Sequence, residues 1–108
     1  MIENFPNLVN YYDQQIASRS LSQKLSLDEN ITLYAFDQGE SISRETSTNN
    51  KLLQIVEGRI LLNCNQEKVE LKKETLIAIH QGQVFGLEAI EPSKLLLIDL
   101  PSPQDIYR

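Results

Sequence analysis

Two side chains in this sequence could do acid–base or nucleophilic chemistry near neutral pH, and each occurs once: His80 and Cys64. Histidine titrates in that range, and a cysteine thiolate is a nucleophile. One histidine excludes a multi-histidine metal site within a chain, and one cysteine excludes an internal disulfide. His80 follows the apolar run Leu76 to Ile79 and has no acidic or nucleophilic partner nearby in sequence, so it reads as a surface or turn histidine. Cys64 shares its parity with Ile60 and Leu62 and reads as a small buried hydrophobe. Its activation needs a positive neighbour, and Lys68, across a turn at Asn65-Gln66, is the one obvious candidate. The four glycines, Gly39, Gly58, Gly82 and Gly86, form no phosphate-binding loop. There is no nucleophile elbow, no paired-cysteine site and no basic stripe.

Composition narrows the classes further. The 108 residues carry 15 acidic and 10 basic groups, a net charge of −5. That charge argues against nucleic acid and against an anionic membrane, both of which select basic surfaces. The longest apolar run, Leu95 to Ile98, is too short to span a bilayer. Met1 to Pro6 lacks the regions of a secretory signal, so the expected location is the cytoplasm, and the Asn30-Ile31-Thr32 sequon goes unused. At ~100–200 residues per domain, a single domain spanning 1–108 is expected.

The elements that would position these residues follow from periodicity. Leu8, Val9, Tyr12 and Ile16 fall at helical spacing, with Pro6 and Asn7 at the start, which predicts a short N-terminal helix over 7–17. Tyr12 joins its apolar face and Tyr11 points outward. The period then changes to two. Leu21, Leu25 and Leu27 share one parity. Ile31 to Phe36 reads as a strand apolar on both faces. Leu52 to Val56 stops at Glu57-Gly58, and Ile60, Leu62 and Cys64 follow on one parity. Asn65-Gln66 has turn chemistry, and Val69 and Leu71 alternate with charged residues beyond it. Leu76 to Ile79, Val84 to Leu87 and Leu95 to Leu100 complete an all-β pattern over 18–100. Pro101 and Pro103 make 101–108 an extended tail.

The turn glycines and strand spacing resemble a small single-domain cupin of the conserved-barrel type. The first cupin motif, G-x5-H-x-H-x3,4-E-x6-G, begins at Gly39 and closes at Gly58. The second, G-x5-P-x-G-x2-H-x3-N, runs from Glu74 to Ala89 with its central glycine at Gly82. The resemblance implies an all-β cupin jelly-roll barrel of two antiparallel sheets, and homodimers. The motif positions of the metal ligands hold Glu45, Ser47, Lys51 and Phe85, while His80 occupies the proline position. A protonated lysine repels a cation and phenylalanine has no lone pair. The resemblance therefore implies a cupin with no metal and no other cofactor.

Those same four residues are the candidate ligand-binding residues, since by the resemblance they line the barrel. Glu45 and Lys51 admit two readings: a polar site in which Lys51 takes an acid or Glu45 acts as a base, or an ion pair standing where the metal would. Phe85 either fills the vacated volume or forms a wall for an apolar ligand. The leading expectation is a non-catalytic module that binds a small organic molecule. The alternatives are a structural or interaction homodimer with a filled barrel, and a metal-independent enzyme of unrecognised type.

Overall fold

The computed structural model describes residues 4–100; the tail read over 101–108 lies outside the described residues. The strands in chain order are β1 (Ile16–Ser20), β2 (Ile31–Phe36), β3 (Ser41–Thr46), β4 (Lys51–Glu57), β5 (Arg59–Cys64), β6 (Glu67–Lys72), β7 (Leu76–Ile79), β8 (Val84–Ala89) and β9 (Ser93–Asp99). They form two antiparallel sheets, a large one ordered β1-β2-β9-β4-β7 and a small one ordered β3-β8-β5-β6. No described helix is long and apolar enough to cross a membrane.

Period-two patterning explains the layering. Phe36, Leu53, Ile55 and Leu95 of the large sheet meet Ile60, Leu62, Leu71, Phe85 and Leu87 of the small sheet in one buried cluster. These residues sit on alternate positions, so each strand turns one face inward. The large sheet is apolar on its outer face too, as β2 predicts. There Ile31, Leu33, Ala35, Leu96 and Ile98 pack with Phe5, Leu8, Val9, Tyr11 and Leu21.

The N-terminal segment that covers this face is not the helix expected over 7–17. It contains one turn of 3-10 helix, Phe5–Leu8, and then runs extended. The helical spacing is coincidental. Leu8 and Val9 pack on the outer face, whereas Ile16 opens β1 opposite Phe36 and packs on the inner one. Tyr12 is 52% exposed. Asn10, Tyr11, Tyr12 and Asp13 are all weak helix formers, and Gln14 takes a left-handed φ of 57°. Leu25 and Leu27 are likewise exposed, because the chain after Leu21 folds into a turn and not a strand.

Lys94 anchors the segment. Although it is only 7% exposed, its Nζ donates to the Pro6 carbonyl at 2.8 Å and lies 5.0 Å from the centre of the Tyr11 ring. The Tyr11 hydroxyl donates to Glu57 Oε2 at 2.6 Å. A buried ammonium thus gains a carbonyl and an aromatic face in place of water.

The two sheets join where β4 passes into β5 and where β8 passes into β9. These passages lie against each other: Arg59 N donates to Ser93 Oγ, Ile90 N donates to the Arg59 carbonyl, and both bonds are 3.0 Å. Gly58 sits between them with a φ of +82°. A Cβ there would meet Ser93 Oγ, the Pro92 carbonyl and Ser93 Cα, the last at 2.7 Å. Ser93 is fully buried and cannot move aside. Gly58→Ala is expected to cost about 3 kcal/mol from positive φ and steric overlap. A thermal melt should show a fall on the order of 15 °C. A melt within a few degrees of the wild type would contradict this account of the junction.

Candidate functional site

β3 carries the first motif and departs from regular pairing. Ile42 pairs with Leu87, and Glu45 pairs with Phe85, so Ser43 and Arg44 together oppose Gly86. This is a β-bulge, with Arg44 at a φ of 37°. Its effect is to reset parity. Without the extra residue, Ile42 and Glu45 would point to opposite faces; with it, both share the inward side of Leu87 and Phe85. Gly86 permits the crowding, since a Cβ there would lie 3.2 Å from the Ile42 carbonyl oxygen.

Glu45, Phe85 and Cys64 are consecutive partners across the small sheet and so form one inward row at a mouth of the barrel. Glu45 is exposed at the rim, and Phe85 is buried at 3% exposure. β4 begins at the same mouth. There Lys51 pairs with Asp99 of β9 and Ile79 of β7.

Lys51 is not the partner of Glu45. Its Nζ lies 2.5 Å from Asp99 Oδ1 and donates to Asn49 Oδ1 at 2.9 Å. Ser47 is buried and its hydroxyl donates to the Asn49 carbonyl at 2.5 Å. Its backbone is tied as well, with Ser47 N donating to the Gln83 carbonyl and the Ser47 carbonyl accepting from Gly82 N. Ser47 therefore fixes the loop that presents Lys51.

Sequence reasoning missed Asp99 and Tyr34. Asp99 closes the alternating set Ser93, Leu95, Leu97, Asp99, a signal hidden behind the uninterrupted apolar run. Tyr34 packs against the inner cluster. Burial first, then the negative charges of Asp99 and Glu45, push its phenol above the usual tyrosine range. His80 is exposed, as expected of a turn histidine, and its N donates to Gln83 Oε1 at 2.7 Å. Cys64 is partly buried against the core. Lys68 does not face it: Lys68 pairs with Asn63 on the outward side, and Glu67 stands opposite Cys64. Among the described residues no cluster of three or more His, Cys, Asp or Glu side chains could hold a metal ion.

A groove of about 770 Å³ lies on the opposite, outward side of the small sheet. Gly86, Asn63 and Leu61 are on its floor, with Arg44 at one border and Lys68 at the other. Of the four candidate residues, only Phe85 borders it.

Two outcomes follow for the mouth. Lys51→Met strands the Asp99 carboxylate and should cost about 2 kcal/mol. Lys51→Met with Asp99→Leu should recover most of that loss in denaturant titration; an equal loss in both would mean the pair is not coupled. Tyr34 and Tyr11 are both raised above the ordinary value of 10.0, so the fold favours their neutral forms. Their contribution is full below pH ~10 and is lost as pH rises through the folded-state values. Alkaline unfolding should therefore steepen above that point and flatten in Tyr11→Phe with Tyr34→Phe. An unchanged profile would contradict the assignment.

Comparison with known proteins agrees with this architecture. A cupin superfamily protein from Desulfitobacterium hafniense superposes with a TM-score of 0.81 at 25% identity, over 89% of this chain and 86% of that one. A conserved protein of unknown function from Streptococcus pyogenes matches equally, with a TM-score of 0.81 at 25% identity over 94% and 89%. Salicylate 1,2-dioxygenase from Pseudoaminobacter salicylatoxidans shares the fold at 13% identity and a TM-score of 0.70, over 78% of this chain but 26% of the enzyme. No curated protein matches the chain. Residues 15–100 fit the model of the quercetinase C-terminal cupin domain, and the chain belongs to that cupin family.

Proposed function

We propose that this cupin works without a bound metal, as a non-catalytic module that binds a small organic molecule at the mouth of its barrel. The observation that carries this is Lys51. Its ammonium stands at the position of the family's glutamate ligand and is held by Asp99 at 2.5 Å. A divalent ion there would face a fixed positive charge, a phenylalanine ring, and a serine hydroxyl already donated to Asn49. Glu45 alone could coordinate, and one exposed carboxylate makes no tight site.

The mouth disfavours the variant of this reading in which Lys51 takes an acid. Asp99 neutralises Lys51, and Glu45 adds a further negative charge. A ligand that offers hydroxyl or amine donors to Glu45 and lays an apolar edge on Phe85 suits this rim better than a carboxylic acid. A second reading, a structural or interaction homodimer with a filled barrel, draws support from the inner cluster. Phe36, Leu53, Ile55, Ile60 and Phe85 occupy the interior between the sheets.

Purified protein incubated with nickel, iron(II) or zinc salts and then desalted should retain no stoichiometric metal by mass spectrometry. One retained ion per chain, lost in Glu45→Gln, would overturn the metal-free reading. In thermal-shift measurements, polyols or amines should raise the midpoint more than small carboxylic acids, and Glu45→Gln should abolish the difference. No response to any of them, together with a dimer by sedimentation, would favour the second reading.

A further inference from the structure

We propose that the groove over Gly86, on the outward face of the small sheet, is a binding site for a flat organic dianion. It lies on the other side of the small sheet from the barrel mouth, sharing only the edge at Phe85 among the mouth candidates, and does not rest on the reading given for that mouth. Its volume of about 770 Å³ falls within the range of small-molecule sites.

The register builds its floor. One outward row runs across all four strands: the bulge residues Ser43 and Arg44, then Gly86, Asn63 and Lys68. Gly86 leaves the centre of this row without a side chain, so a planar group can lie directly on the backbone. Leu61, in the next outward row, supplies an apolar contact beside it.

Charge sets the ligand class. Arg44 and Lys68 are exposed, and neither is ion-paired with a described residue. They stand on β3 and β6, three strand spacings or ~14 Å apart across the sheet. Their side chains can close on a ligand shorter than that, one cation at each end. Glu88 lies in the neighbouring row and disfavours an anion placed there, which aligns the ligand with the row of Arg44 and Lys68. The setting is a chain of net charge −5, so two cations bordering one groove with no ion-pair partner among the described residues form a local exception to its field.

Terephthalate, a planar dianion, is the probe, with neutral terephthalamide as its comparator. Calorimetric titration of the full chain should show terephthalate binding and much weaker binding of the amide. Arg44→Asn, which suits the left-handed backbone at the bulge, and Lys68→Gln should each weaken it about three- to tenfold. Circular dichroism melts of both variants should match the wild type, because both side chains are exposed. Lys73→Gln, at an exposed lysine outside the groove, should leave terephthalate affinity unchanged. The proposal is overturned if the wild type does not bind terephthalate, if the amide binds as tightly, if neither groove variant weakens binding, or if Lys73→Gln weakens it as much as they do.

Discussion

The stacking of the two sheets depends on the contact between Gly58 and Ser93. A β-sandwich needs strands that leave one sheet and enter the other, and here two such passages touch. Ser93 accepts from Arg59 N and its hydroxyl lies within bonding distance of the Arg59 and Glu91 carbonyls, at 3.0 and 2.7 Å. This satisfies backbone groups that the sheet change would otherwise leave unpaired in a buried place. The close approach is possible because residue 58 has no side chain. The inner cluster, the mouth and the outward groove all inherit their positions from that junction.

Much of this architecture was legible in the sequence. The alternation in Ile60, Leu62 and Cys64, and in Val69 and Leu71, gives β5 and β6. The turn chemistry of Asn65-Gln66 places their hairpin, and both residues adopt positive φ, at 54° and 63°. Ile31 to Phe36 reads correctly as a strand covered on both faces. β3 was legible only through the family motif, because Ser41–Thr46 contains a single apolar residue, Ile42. The N-terminal segment misled because three- and four-residue spacing also arises when a chain wraps around a sheet edge and touches both faces.

The candidate site was half legible. The motif spacing picks out Glu45, Ser47, Lys51 and Phe85, and all four belong to one mouth. What the spacing cannot give is the partner. Two carboxylates compete for Lys51, and cross-strand register decides for Asp99, which is 48 residues away in sequence. The bulge is equally silent in the sequence, yet it brings Glu45 inward and places Arg44 on the border of the outer groove. A single inserted residue thus distributes one acidic and one basic side chain to the two sides of the same sheet.

The anchoring of the N-terminal segment by Lys94 carries a consequence for biosynthesis. Pro6 and Lys94 are 88 residues apart. As the chain leaves the ribosome, Pro6 in the segment that covers β2 emerges 88 residues ahead of its anchor. Ile31, Leu33 and Ala35 therefore wait, unsealed, until Lys94 has emerged. Partners so distant in sequence must pay loop-closure entropy before they gain contact, so this face closes late. A nascent chain stalled before Lys94 would present an open apolar strand face, the kind of surface that chaperones hold and that aggregation begins from.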